Sequence, residues 1–598
     1  MNEMYIPTGN ERISIPRISM NDGAIHDFTF LHMGYKGLID VRGSETTPLI
    51  KPFIAKDGIS IPLEIISWQR EGYWIPVYNA KAAQFHIKGI ILTPVGERGF
   101  VYRLEVKNTS EVEQEIEIGL SGCWGSTYHC INEDKIIDAL KYAYMSNWNS
   151  NVVFDLRNGV SVFSFAPMVS HPSETVYVTE KQEVHYRISC KIILSAGQED
   201  HIDFYWGLGF EEVASTTSAK EMLRKGFRYI YDNTFDWLNK RSYHFEDKEL
   251  NELYHVNLFF NFFFATGITL DTEELVLVTS RSPRYYVSAA YWDRDSLLWS
   301  FPSILLADVE YARDMLDYVF TRQIKNVGNH SRYIDGTLLE PGFELDELCA
   351  PVIALYNYVK VSGDKAYLTE SHVINGIRRI LKILESKKHP EIDLYETFLQ
   401  PTDDMHVYKY ITYDNVMVWC SLNHIVELYG DVFSPSELSM LKKSAERVRE
   451  AIQTHCIKVH NGKRIYGWSV DLKGNYDVYD EPPGSLQLLA FLGFCDNTDE
   501  VFLNTVEVIR DKNYPYSFSG SNFPETGCPH APHPWVLSIA NSLLYGRIEH
   551  CIDILKRIKM DNLIACESIN ENTGECVTGA AFATCAGFLT YAMRAALG

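Results

Sequence analysis

Two periodicities divide the chain. Up to about residue 215 apolar and polar positions alternate in pairs, as in Gln84-Phe85-His86-Ile87-Lys88-Gly89-Ile90-Ile91-Leu92, Phe100-Val101-Tyr102-Arg103-Leu104-Glu105-Val106 and Glu115-Ile116-Glu117-Ile118-Gly119-Leu120. That alternation puts successive side chains on opposite faces of a strand, and turn residues such as Lys107-Asn108-Thr109-Ser110 separate the runs. Further strands are predicted at 152–156, 160–165, 175–178 and 184–194. Many short strands with regular turns predict an N-terminal β-sandwich over 1–215.

Beyond Ser215 the period becomes helical. A linker helix is predicted within 216–246, centred on Ala219–Ile230. From 247 to 598 helices are predicted near 248–266, 293–304, 308–325, 345–361, 365–386 and 413–430. Six more follow near 434–456, 484–494, 498–511, 535–545, 547–560 and 579–596. Twelve helices with alternating short and long connections suggest six hairpins closing into an all-α (α/α)6 barrel, so the expected class is multidomain, sandwich then barrel. The long connections at the N-terminal ends of the six inner helices would gather at one mouth and form a pocket.

Composition narrows the partners. The 598 residues exceed one ordinary domain and carry a net charge of −23, with 46% hydrophobic and 22% charged residues. Such acidity lacks the basic footprint of a nucleic-acid partner and opposes an anionic membrane surface. A neutral substrate fits. Met1–Pro7 has neither a basic nor an apolar leader region, so no signal peptide is expected. The most apolar run, Leu258–Ala265, is interrupted by Asn261 and too short to span a bilayer. The twelve cysteines show no C-x-x-C pair and no Cys/His ligand spacing, which suits small core residues in a reducing cytoplasm. Oligomeric state is not legible in these features.

Four segments carry candidate chemistry. Tyr285–Ser296 ends in Trp292-Asp293-Arg294-Asp295-Ser296: an aromatic can stack on a sugar face and an Arg/Asp pair can hold adjacent hydroxyls, yet the same residues fit a helix cap with a surface ion pair. Glu340–Pro351 holds Glu344, Asp346 and Glu347 among Phe343, Leu345 and Leu348. Acidic residues favour helix N-termini for the macrodipole alone, but burial and like charges raise a carboxyl pKa as a general acid requires. In Ile564–Glu575, Glu567 ends an apolar approach before an Asn/Gly turn, where it would activate water or be a solvated loop residue. Gly527–Trp535 is a rigid Pro-rich stretch with His530, His533 and Trp535; a metal site there lacks a third ligand, and no metal or cofactor is expected.

Together these segments resemble the (α/α)6 six-hairpin glycosidases, and most closely the metal-independent exo-α-1,6-mannosidases. That family's Trp-x-Arg-Asp-Ser matches Trp292–Ser296, its Tyr-Glu-Ile-Asp-Ser-Leu is similar to Phe343–Leu348, and its Ala-Asn-x-Pro-Ser-Leu-Leu is loosely similar to Glu481–Leu488. Its Ser-Pro-His before a Trp-Pro helix resembles Cys528-Pro529-His530 leading to Trp535, and its Glu-Ser-Phe resembles Glu567-Ser568-Ile569. The order agrees over 285–598. The resemblance implies Asp346 as general acid and Glu567 as general base of an inverting hydrolysis, with Trp292, Arg294, Asp295, Glu344, His530 and Trp535 lining the sugar subsite. Glu347 stands where the family has serine, and an N-terminal sandwich is a feature of glucoamylase-like and phosphorylase-like relatives. An α-mannosidase or α-glucosidase acting on a carbohydrate is therefore expected; an inverting phosphorylase or an inactive sugar-binding barrel are the rivals. Tyr73, Trp74 and Tyr78 could form a sugar-binding face on the sandwich, although core packing is the expected role of such aromatics.

Overall fold

A computed structural model describes residues 4–598. It divides into two compact units. Of the described residues, the first comprises those up to 243 with 262–276 and 281–289, and the second comprises 244–261, 277–280 and 290–598.

The first unit is built from antiparallel sheets of six, eight and five strands. The predicted strands are there with small shifts: Val152–Asn158, Val160–Val169, Glu174–Glu180 and Glu183–Leu194. The inward rows of all three sheets meet in one core. Phe28 and Phe30 come from the six-stranded sheet, Phe154, Phe165 and Trp206 from the eight-stranded, and Ile118 and Ile188 from the five-stranded. Phe154 stacks on Phe165 at 4.6 Å between centroids, an offset aromatic pair of the kind that adds to simple burial. Trp74 and Tyr78 are buried, with Trp74 Nε1 donating to the Gly9 carbonyl and the Tyr78 hydroxyl meeting that of Tyr102. They are packing residues.

Where one linker helix is predicted over 216–246, the chain forms two, Glu212–Lys225 and Phe227–Arg241. Gly226 separates them at φ 80°, a left-handed backbone angle that glycine adopts without steric cost.

The second unit is helical. Lys248–Phe264, Val309–Thr321, Leu345–Ser362, Ser371–Ser386, Thr412–Leu428 and Pro435–His455 lie where the periodicity places them. Glu500–Arg510, Val536–Tyr545, Ile548–Arg557 and Ala583–Leu597 do likewise. The helix predicted at 293–304 opens as a wide π-turn, Arg294–Ser300, before continuing as Phe301–Ala307. The helix predicted at 484–494 is not α-helical: Pro482–Gly484 and Leu486–Leu488 are two short 3-10 turns. The Asp480 carboxylate accepts from the Ser485 hydroxyl and the Leu486 N–H, which fixes a non-helical bend. Side chains from five separate segments, Trp299, Ile353, Met417, Leu488 and Phe588 among them, line one apolar cavity, so these segments share a common interior. Among the described residues no helix is long and apolar enough to cross a membrane.

Candidate active site

Every sequence-selected site residue lies in the second unit. The Arg294 guanidinium is at its centre and is 1% exposed. Its Nε donates to Asp346 Oδ2 at 2.6 Å and a terminal nitrogen reaches Asp346 Oδ1 at 3.2 Å. The same nitrogen donates to Glu344, while the other donates to Asp403 Oδ1 at 2.9 Å. A planar guanidinium with five fixed donors suits such a cage of carboxylates, where a lysine could not. His330 extends it, with Nδ1 2.6 Å from Glu344 and Trp292 edge-on to its ring at 5.6 Å.

The local sequence dictates this convergence. Glu344 lies immediately before the helix Leu345–Ser362, and Asp346 and Glu347 lie in its first turn, where the exposed backbone donors favour negative charge. Glu347 reaches back to the opening of the π-turn: its carboxylate accepts the backbone N–H groups of Asp293 and Arg294. It thereby anchors the segment that presents Arg294, a role a serine at this position would be too short to fill. Asp293 in turn accepts from the Tyr291 hydroxyl at 2.6 Å and from Arg332. These pairs are structural supports. Neither Asp293 nor Arg294 is the surface ion pair that a cap would make.

Burial dominates the ionisation of the cluster. It pushes Glu347 well above the usual carboxylate range, against the opposing charge of Arg294. It likewise raises Glu344, with Arg294 opposing. Asp295, whose Oδ1 accepts from Thr584 at 2.8 Å, is pushed by burial up to about 7. Burial disfavours charge on His330, but its bond to Glu344 and the charges of Asp403 and Glu344 prevail and raise it to about 9.

The second half of the site is made by the C-terminal segments. Backbone bonds tie Val536 N to Glu567 O and Ile569 N to Pro534 O, which joins the Gly527–Trp535 loop to the Glu567 strand. The loop's tight path requires glycine at its start: a Cβ at Gly527 would lie 2.1 Å from the His533 carbonyl oxygen. Trp535 is buried and donates from Nε1 to the Ala531 carbonyl, so it braces the loop from within. Glu567 is 3% exposed and accepts from Thr578 Oγ1 at 2.6 Å. His530 stands before it, Nε2 3.9 Å from Glu567 Oε1 and Nδ1 3.0 Å from Asp404 Oδ2.

The turn holding Asp403 and Asp404 escaped the sequence reading. Asp403 has φ 65°, unusual for a side-chain-bearing residue and a form of strain that gathers at functional sites. Glu481 holds the turn from beneath, accepting from the Thr402 N–H at 2.9 Å and its hydroxyl at 2.8 Å. Burial raises Glu481 well above the usual range. Asp414, in the first turn of Thr412–Leu428, was also missed. It is fully buried, burial and the Asp346 charge raise it, and its two oxygens find no hydrogen-bond partner among the described residues; the same holds for Trp292 Nε1. The adjacent aspartates after Pro401 were the available signal for this turn; Asp414 offered none beyond a helix start.

The arrangement combines fixed donors, buried and part-exposed carboxyl groups and aromatic side chains, which are the elements of sugar recognition and acid–base chemistry. Comparison with solved structures is decisive for the fold. A bacterial glucoamylase complexed with acarbose superposes with a TM-score of 0.66 at 12% identity, over 100% of this chain and 94% of that one. The chain has the fold of the six-hairpin glycosidases. A putative kojibiose phosphorylase from the human microbiome gives 0.61 at 12% identity, covering 98% of this chain and 86% of that one. A Streptococcus pneumoniae structure from a family of metal-independent alpha mannosidases, in a non-productive complex with alpha-1,6-mannobiose, gives 0.51 at 18% identity over 58% of this chain and 93% of that one. By sequence, residues 388–593 match the metal-independent alpha-mannosidase family, GH125. No curated protein matches the chain by sequence. The glucoamylase and phosphorylase matches span nearly the whole chain, N-terminal sheets and following helices together.

Proposed function

We propose that this protein hydrolyses an α-linked sugar from the end of an oligosaccharide or polysaccharide by inversion, inside a closed (α/α)6 barrel. The single observation that carries the reading is the placement of His530 between Asp404 and Glu567, with a carboxylate at each end of one imidazole. Inverting hydrolysis needs two carboxyl groups roughly 6.5–9.5 Å apart, which admits a water molecule on the face opposite the leaving group. Glu567 is the base that draws a proton from that water. Trp292, Arg294, Asp295, Glu344 and Trp535 shape the sugar subsite, with Arg294 fixing the carboxylates that accept hydroxyl protons.

Asp346 is the proton donor implied by the resemblance to the mannosidases. A second donor, Asp404, is favoured by one observation: both oxygens of Asp346 are already engaged by Arg294, whereas Asp404 is half exposed beside His530. The match to the alpha-mannosidase family over 388–593 supports mannose as the sugar, and the glucoamylase neighbour supports glucose. The deciding experiment is turnover of aryl α-mannosides and α-glucosides with NMR of the first-formed anomer, run with and without inorganic phosphate. Release of the β-anomer without phosphate supports the reading. Retention of the α-anomer overturns inversion, and turnover that requires phosphate makes the protein a phosphorylase.

A further inference from the structure

The first unit holds a cluster of ligating side chains that the glycosidase reading leaves unused. Antiparallel pairing of Gln114–Trp124 with Glu183–Leu194 sets Cys123 opposite His185. Cys123 Sγ lies 3.8 Å from His185 Nε2 and 3.9 Å from Glu183 Oε2, and the same Nε2 is 3.3 Å from the same carboxylate oxygen. One sulfur, one nitrogen and one oxygen thus face a common point. Tetrahedral zinc binds these atoms at about 2.3, 2.0–2.1 and 2.0–2.2 Å, bond lengths that place neighbouring ligand atoms roughly 3.3–3.6 Å apart. The observed triangle is within a few tenths of an ångström of that.

Two other groups of potential ligands differ in this respect. His372 approaches Asp317 with Nε2 at 3.3 Å and Glu370 with Nδ1 at 3.7 Å, so its nearest approaches use opposite nitrogens, and Arg313 already neutralises Glu370. His330, Glu344 and Asp403 surround the fixed cation of Arg294.

We propose that Cys123, Glu183 and His185 bind one zinc ion, with water in the fourth position. On binding, the thiol proton leaves to solvent and the sulfur binds as thiolate. A thiolate–imidazole–carboxylate set selects zinc over calcium or magnesium, which take oxygen ligands. Cys123 is buried, while the Glu183 and His185 side chains are 42% and 40% exposed, so the ion can enter from solvent. Both exposed ligands sit just after the turn Lys181-Gln182, whose residues have φ 49° and 67°. Lys141 Nζ already ties this turn to Gly125, donating to the Gln182 and Gly125 carbonyls at 2.8 and 2.6 Å. Its positive charge acts on Cys123 and Glu183 and opposes the ion. Zinc would act as a clip between the turn and the end of the Gln114–Trp124 strand, remote in function from sugar chemistry.

The test uses the full-length chain without an affinity tag. After incubation with zinc sulfate and desalting, metal analysis should find about one zinc per chain, and His185→Asn and Cys123→Ser should each lower retention at least tenfold. Cobalt(II) should give a sulfur-to-metal charge-transfer band that Cys123→Ser abolishes and Glu183→Gln weakens. Because His185 is exposed, His185→Asn should keep the wild-type circular dichroism, which separates lost binding from lost folding. Failure of the wild type to retain zinc, or wild-type retention in the His185 and Cys123 variants, overturns the proposal.

Discussion

Arg294 grips both oxygens of Asp346, from Nε at 2.6 Å and from a terminal nitrogen at 3.2 Å. The same guanidinium reaches Glu344 and Asp403, so one side chain orders three carboxylates drawn from two separate segments. Arg294→Lys keeps a charge but loses the fork, leaving buried carboxylates without partners. The expected loss is about 3–5 kcal/mol of stability, as for other broken buried ion pairs, with activity falling in parallel. Denaturant unfolding alongside glycosidase assays measures both.

Glu567→Gln should lower turnover by at least roughly a thousandfold on every substrate, since removing the base leaves water unactivated. The two candidate donors separate by leaving group. The variant lacking the true acid, Asp346→Asn or Asp404→Asn, should be severely slowed on natural glycosides yet recover most of its rate on an aryl glycoside whose phenol needs no protonation. A variant of a positioning carboxylate should be slowed equally on both. Equal rates for both variants and wild type would remove these residues from the mechanism.

His330 gives the site a pH signature. Its pKa rises from an ordinary 6.5 to about 9 in the fold. A group raised on folding contributes stability that is fully present below 6.5 and is lost as the pH climbs through about 9. Thermal unfolding should therefore show Tm falling across that window. His330→Gln should flatten the fall, and an unchanged slope would show that the imidazolium is not held as described.

Asp414 has the opposite economy: buried, with neither oxygen hydrogen-bonded among the described residues. Burial raises its pKa, so the contribution of Asp414 is most favourable below the ordinary value of 3.8 and is lost as the pH rises. Asp414→Asn should stabilise the fold by about 1–3 kcal/mol at pH 8 and by less at pH 4, since a buried charge or unmet acceptor costs about that much. Lower activity in the stabilised variant would mark Asp414 as a residue retained for function.

Glu525 is a structural counterpart. It accepts from Arg510 at 2.9 Å, from His550 at 2.7 Å and from Ser538 at 2.7 Å, and although burial opposes its charge, Arg510, His550 and Arg547 hold its carboxyl down at about 2. Its contribution is present above the ordinary 4.5 and is lost as the pH falls through 2. Glu525→Gln should cost about 3–5 kcal/mol near neutrality with little change in the activity of the folded fraction.

Hydrophobic periodicity by itself determined the two-part layout, most strands and ten of the twelve predicted helices in plain α-helical form, because a period of two or of 3.6 decides which side chains can share a buried face. The four chemistry-bearing segments and the family resemblance they carry, not periodicity, selected Arg294, Asp346, Glu344, Glu567 and His530. Periodicity misplaced 484–494, where an apolar run imitates a helix but Asp480 fixes a bend through its bonds from the Ser485 hydroxyl and the Leu486 N–H. What only the tertiary structure decided is which of these groups meet. Arg294 and Asp403 are 109 residues apart, and His530 and Asp404 are 126 apart. Cys123 and His185, 62 residues apart, become neighbours through strand register alone. Periodicity reports the face a side chain occupies, while the charge environment that makes it an acid, a base or a ligand comes from segments folded back over it.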